Sequence, residues 1–215
     1  MTGPQQALLA LIERMHAPGV HWGMARIGEE TELTASEAAS VARAVPARRQ
    51  EFAAGRLAVR RARAGLGLPS DDLAEGLPAG PDRLPVWPDG MTGSISHAAG
   101  LAVAAVARPP VRLGIDLEED KPLDPELVEE ICLPAEGAMP PIRVFSAKEA
   151  IFKAEYPRTR VLHGFHGIEV DLAQSRARYT DHPEVAAIPP ESRRPLPILQ
   201  AVGGGLILSL CRTGA

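Results

Sequence analysis

Two carboxylates, Asp116 and Glu118, lie two positions apart in the alternating run V111-R-L-G-I-D-L-E118. On a strand, Val111, Leu113, Ile115 and Leu117 share one face, and Arg112, Gly114, Asp116 and Glu118 share the other. The two acids then stand about 7 Å apart, two strand rises. They can share one hard cation, which takes oxygen ligands. The competing reading is an amphipathic edge strand with a polar outer face; with Asp116 on that polar face, Asp116→Ala is expected to abolish any metal-dependent activity without opening a cavity. A second pair lies in F145-S-A-K-E-A-I-F-K-A154, where Glu149 and Lys153 are one helical turn apart. A Glu and a Lys so placed can act as base and acid at one reaction centre. Ordinary explanations compete here as well: Ser146 as N-cap with Glu149 at N3 of a capping box, and Glu149–Lys153 as an i,i+4 ion pair. Lysine usage points toward chemistry. Of 23 basic residues only Lys121, Lys148 and Lys153 are lysine, the basic side chain that can give up its proton.

Two further blocks suit an anion. G93-S-I-S-H97 precedes Ala98-Ala99-Gly100 and places Ser96 and His97 at a tight turn, where hydroxyl, imidazole and backbone N–H can meet an anion. It is not a nucleophile elbow, because no glycine follows two residues after either serine. In the segment from Arg48 to Arg63, at roughly 100° per residue, Arg49, Arg56, Arg60 and Arg63 form a stripe beside Phe52, Val59 and Leu66. Planar guanidinium forks suit phosphate; a solvated basic face is the alternative. Residues 43–63 carry seven arginines against Glu51, and residues 112–136 carry nine acids against Arg112 and Lys121. A ligand with phosphates and a divalent cation matches both blocks.

The elements needed to hold these groups are legible in outline. Helices are expected over 5–16, over 34–45 with Thr34 and Glu37 as a capping box, and from about Arg48 to Leu66. Residues 67–93 are loop-rich. SISH and LAVAAVA form an antiparallel pair around the turn at Ala98–Gly100, and 111–118 is a third strand. Residues 125–132 are weakly helical. A helix is expected to begin at Ser146 and stop before Pro157, followed by strands at 166–172 and 206–212. The chain has 215 residues, 45% hydrophobic and 23% charged, which excludes a disordered or fibrous protein. Its net charge of −4 offers no general field for nucleic acid. Cys132 and Cys211 make neither a zinc site nor a disulfide framework. No apolar run suits a membrane span and the N-terminus does not read as a signal peptide, so a cytoplasmic, monomeric protein is expected.

Taken in order, E51-F-A-A-G-R56, P85-V-W-P88 with G93-S-I-S-H97, G114-I-D-L-E118, F145-S-A-K-E-A-I-F-K-A154 and L162-H-G-F165 resemble the 4′-phosphopantetheinyl transferases of the surfactin type, most of all the enterobactin-synthetase branch. The resemblance covers roughly residues 40–170. It implies an α+β fold of two pseudo-symmetric halves, each a small antiparallel sheet packed on a long helix. The halves are expected at 1–110, gripping the 3′-phosphoadenosine end of coenzyme A, and at 111–215, carrying the metal and catalytic residues, with coenzyme A and Mg²⁺ (Mn²⁺ as an alternative) in the cleft between them. It implies transfer of the phosphopantetheine arm of coenzyme A to a serine of an acyl or peptidyl carrier protein, with release of 3′,5′-ADP, in siderophore or other secondary-metabolite biosynthesis. By position, Asp116, Glu118 and Glu149 match metal ligands, Glu149 a base, and Lys153 a lysine beside the leaving phosphate. Asp116, Ser96, His97 and Arg56 match coenzyme A contacts, with Arg49 and Arg83 as looser matches. Only 29 residues separate Glu118 from Lys148, fewer than usual in the family, which leaves Glu136 as the one acid near the expected carrier-docking segment. Two other functions compete: a metal-dependent nuclease, which calls for E-x-K on a strand, and a non-catalytic module binding coenzyme A or a carrier.

Overall fold

The computed structural model describes residues 3–68 and 76–214; part of the expected loop, 69–75, lies outside them. The chain divides into two compact units, Ala17–Val111 and Met1–His16 with Arg112–Ala215. The first unit contains β1 (His21–Arg26), α2 (Ala35–Ser40), α3 (Pro46–Arg63), β2 (Thr92–Ala98) and β3 (Leu101–Ala107). The second contains α1 (Pro4–Arg14), β4 (Arg112–Glu119), α4 (Pro125–Ile131), α5 (Pro141–Thr159), β5 (Ile168–Asp171), β6 (Arg176–Tyr179), β7 (Leu196–Gly203) and β8 (Leu206–Thr213). Each is an antiparallel sheet on a long helix, the α+β class that the sequence implies.

In the first unit the sheet order is β1-β3-β2. β3 is central and buried throughout, which its small Ala and Val side chains allow on both faces. The β2–β3 hairpin turns at Ala99 (φ 53°) and Gly100 (φ 74°), positive φ at both positions matching the twist of the paired strands. The Thr34–Glu37 capping box is present, although α2 ends at Ser40, and Pro46 opens α3 at its first turn. β1 was not legible, because H21-W-G-M-A-R26 barely alternates. Its marker is Gly23: a Cβ there would overlap the Ala58 carbonyl and Ala62 amide of α3.

The second unit has five strands in the order β4-β8-β7-β6-β5. Gly114 of β4 repeats the contact of Gly23, facing the Ala150 carbonyl and Ala154 amide of α5. β4 is an edge strand, but α5 lies over its Gly114–Asp116 face. The expected solvent-facing polar side is therefore wrong: Asp116 is only 3% exposed. Because α5 presses on backbone here, Gly114→Ala should lower unfolding free energy by about 1–3 kcal/mol, the scale of overpacking. A denaturant titration measures this; an unchanged midpoint would mean that the helix is not seated on this glycine.

The long helix also differs from expectation. α5 starts at Pro141, more than a turn before Ser146, and continues past Pro157 to Thr159. Pro141 suits the first turn, where its missing N–H had no partner to lose. Pro157 falls in the last turn, so it removes only one intrahelical bond. α1 joins the second unit rather than the first. It buries Ala7, Leu8 and Leu11, and Arg14 Nη1 donates to Val202 O of β7 at 2.9 Å. No described helix is long and apolar enough to cross a membrane.

Candidate functional site

β4 and α5 bring Asp116, Glu118, Glu149 and Lys153 into one electrostatic neighbourhood. Lys153 Nζ donates to Asp116 Oδ1 at 2.7 Å. Burial, then the neighbouring Asp116 charge, pushes Glu118 up to about 7, against the pull of Lys153. Burial also raises Glu149, with Asp116 adding to the shift and Lys153 opposing it. Among the described residues no three His, Cys, Asp or Glu side chains converge closely enough to hold a metal ion. The donor set nonetheless fits a hard divalent cation. It is all carboxylate oxygen, and the charge of Asp116, which adds to burial in raising Glu118 and Glu149, is the repulsion that a bound cation would relieve.

The capping explanation of Glu149 falls. Ser146 is fully buried inside α5, its Oγ 2.9 Å from Ser209 Oγ, which also receives Gln200 Nε2. It is no N-cap, so Glu149 is no capping residue. The other lysine of the motif is structural. Lys148 is 2% exposed and donates to Glu136 Oε2 at 2.7 Å, Ile131 O at 2.8 Å and Phe165 O at 3.0 Å. Glu136 also accepts the amides of Leu133 and Val170. It is fully buried, so it cannot belong to a docking surface. The hub fixes the turn carrying His163, Gly164 and Phe165, which with Glu149, Phe152 and Ile168 lines a largely apolar cleft.

The block of the first unit expected to meet an anion is arranged differently from expectation. Ser96 and His97 are neighbours on β2 and point to opposite faces. Ser96 is buried, while His97 turns toward α3. Its partner there is Arg48, whose Nη1 donates to His97 Nε2 at 3.1 Å and to Glu51 Oε2 at 3.1 Å. Arg48 was missed, yet it continues the line Phe52, Gly55, Val59 that faces the sheet. The arginine stripe is not one open surface. Arg49 donates to Ala44 O and Ala42 O. Arg60 pairs with buried Glu37 at 2.6 Å, and Arg63 is buried. Arg56 is buried too, donating from Nε to Leu77 O at 2.7 Å and lying over Phe52, and burial lowers its pKa to about 10. Arg83 is exposed in the turn over 80–84, at φ 64°.

The raised Glu118 yields a stability prediction. A carboxyl whose folded pKa exceeds its unfolded value costs stability once ionised, a cost absent below about pH 4.5 and complete above about pH 7. Without added metal, Glu118→Gln should therefore be more stable than the parent at pH 8, with the gap closing toward pH 5. Urea midpoints at the two pH values measure it; a gap that widens on acidification contradicts the assignment.

Comparison with known proteins matches the sequence to a family. Residues 36–107 match the 4′-phosphopantetheinyl transferase N-terminal domain, and residues 112–194 match the 4′-phosphopantetheinyl transferase superfamily. The chain is 40% identical over 157 residues to the 4′-phosphopantetheinyl transferase Svp of Streptomyces mobaraensis, covering 66% of this chain and 59% of that protein. It is 36% identical over 157 residues to the 4′-phosphopantetheinyl transferase PptT of Mycobacterium tuberculosis, covering 67% of each. Enterobactin synthase component D of Salmonella typhi is 34% identical over 135 residues, 57% of this chain and 54% of that one. The matched stretch thus spans between about half and two thirds of these relatives' own length. With these two stretches matched in order and two thirds of PptT covered at 36% identity, the chain belongs to the 4′-phosphopantetheinyl transferase superfamily.

Proposed function

We propose that this protein transfers the 4′-phosphopantetheine arm of coenzyme A to a serine hydroxyl of an acyl or peptidyl carrier protein, in a Mg²⁺-dependent reaction that releases 3′,5′-ADP. The observation that carries this reading is the shared field of Asp116, Glu118, Glu149 and Lys153 across one strand–helix contact. The serine oxygen attacks the pantetheine-side phosphorus of the diphosphate, and the bond from that phosphorus to the bridging oxygen breaks. Glu149 takes the serine proton; its raised pKa brings it closer to the range of an effective base at neutral pH. Lys153 sets its ammonium beside the leaving phosphate, where it offsets the developing charge and can deliver a proton. Asp116, Glu118 and Glu149 would hold the divalent cation, which when bound neutralises diphosphate charge. The apolar cleft beside Glu149 suits a neutral pantetheine arm. Sequence similarity to a relative named enterobactin synthase component D supports siderophore or other secondary-metabolite carriers as substrates.

A metal-dependent nuclease is disfavoured, because Glu149 lies inside a helix rather than on an E-x-K strand. The test of the reading is intact mass spectrometry of apo carrier proteins after incubation with the enzyme, coenzyme A and Mg²⁺. Absence of the phosphopantetheine mass on every one of several carriers overturns it.

The anion grip has its own test. His97→Ala and Arg48→Ala should each weaken coenzyme A more than dephospho-coenzyme A, by about 1.5–3 kcal/mol, the scale of a hydrogen bond to a charged group. Arg49→Ala should leave that difference intact, since its guanidinium is engaged with Ala42 and Ala44. Calorimetric titration of both ligands decides; equal weakening of the two removes His97 and Arg48 from the 3′-phosphate.

A further inference from the structure

A second charged groove lies toward the start of β4 and the end of α5, away from Asp116 and Lys153. The β7–β8 ladder runs only as far as Ile198↔Cys211. β8 nevertheless continues beside β4 through Leu113↔Arg212 and Arg112↔Thr213. Pro195 and Pro197 have no amide hydrogen to extend the β7–β8 ladder, and the two strands part. Arg112, Arg158, Arg194 and Arg212 line the opening, against only two acids, Glu155 and Glu191.

Glu155 is 3% exposed and already satisfied within the protein. It pairs with Arg158, accepts Tyr179 Oη at 3.1 Å and Thr213 Oγ1 at 3.3 Å, and lies 3.6 Å from Arg112 Nη2. Arg112 and Arg158 thus meet the acid beneath the groove, which leaves Arg194 and Arg212 against Glu191 alone at the opening. The Nε atoms of Arg112 and Arg212 are also buried without a hydrogen-bond acceptor. Both side chains are otherwise partly exposed and Arg112 already faces Glu155, so what is unmet is one N–H on each rather than the charge. Several guanidinium forks in one groove suit an oxyanion with more than two acceptor oxygens better than a single carboxylate.

We propose that this groove is an anion site for a phosphate-bearing small molecule, separate from the carboxylate site of β4 and α5. The test uses the full chain at low ionic strength, following arginine Nε–Hε resonances during titration with inorganic pyrophosphate and, separately, with 3′,5′-ADP. Saturable shifts of Arg112 and Arg212 with pyrophosphate indicate recognition of phosphate alone; shifts with 3′,5′-ADP only indicate a nucleotide ligand. Acetate at the same concentration should shift them far less, and added salt should weaken the effect. Arg194→Glu, at an exposed position that does not compromise folding, should weaken binding by at least about tenfold, the loss of one charge-assisted contact. Arg212→Gln provides a second, milder reduction. The proposal is overturned if the two resonances stay still at millimolar concentrations of both ligands, or if Arg194→Glu leaves the affinity unchanged.

Discussion

Glu149→Gln should lose most carrier modification while melting at or slightly above the temperature of the parent. Glutamine cannot take the serine proton and is a poorer ligand for a hard cation. The fold should not suffer, because Glu149 caps nothing: α5 begins at Pro141. Removing a carboxylate whose pKa burial has raised relieves a small native-state cost at neutral pH. Lys153→Arg is the companion variant. Arginine preserves the charge beside buried Asp116 but is bulkier and holds its proton. Turnover should fall by roughly 10²-fold, the scale of a lost acid–base group, with coenzyme A binding little changed. Turnover measured beside melting temperature separates chemistry from stability. Parental turnover in both variants would leave the proposed activity resting on Asp116 and Glu118.

The neighbouring lysine should give the opposite pattern. Lys148→Met leaves Glu136 fully buried without its cation, and breaking a buried pair by removing one partner costs about 3–5 kcal/mol. The same substitution frees the carbonyls of Ile131 and Phe165, so the turn beside the apolar cleft should loosen with it. Lys121→Met, at a side chain 71% exposed, should change stability by less than about 0.5 kcal/mol. Guanidinium unfolding of the two variants tests this. A loss below about 1 kcal/mol for Lys148→Met would mean that the hub does not hold the unit together.

These two lysines also mark how far the sequence can be read. Both stand out by scarcity, but scarcity cannot distinguish a lysine facing a carboxylate site from one sealed in the core. That distinction depends on Glu136, which lies twelve residues before Lys148 and looks like an ordinary loop acid. Elements defined by local chemistry were legible: the Thr34 cap, the Ala99–Gly100 hairpin and the long helix after Pro46. Elements defined by partners were not. Ser146-A-K-Glu149 has the spacing of a capping box, and only the buried contact with Ser209 shows that it lies inside a helix. β7 carries Pro197 and so does not read as a strand, although its later residues pair with β8. On β4, alternation placed Asp116 and Glu118 on one face correctly. It could not show that a helix covers that face, for which Gly114 was the available sign. Arg48 rather than Arg49 meets His97 because a one-residue step turns a helical side chain by about 100°.

The glycines at 23 and 114 provide a common ruler for the two units. Each faces a carbonyl and an amide from alanines four apart, Ala58 and Ala62 in one case and Ala150 and Ala154 in the other. Counting from these anchors, Ala25 occupies the place of Asp116, Ile27 that of Glu118, Leu57 that of Glu149 and Arg61 that of Lys153. The first unit thus serves as a natural comparison for the second. Its strand and helix meet in the same way with all three acids replaced by apolar residues, and its remaining cation is turned to Met24 O and Glu29. Strand–helix docking of this kind therefore does not require the carboxylates, and the acids of β4 and α5 stand as additions to a scaffold that is complete without them.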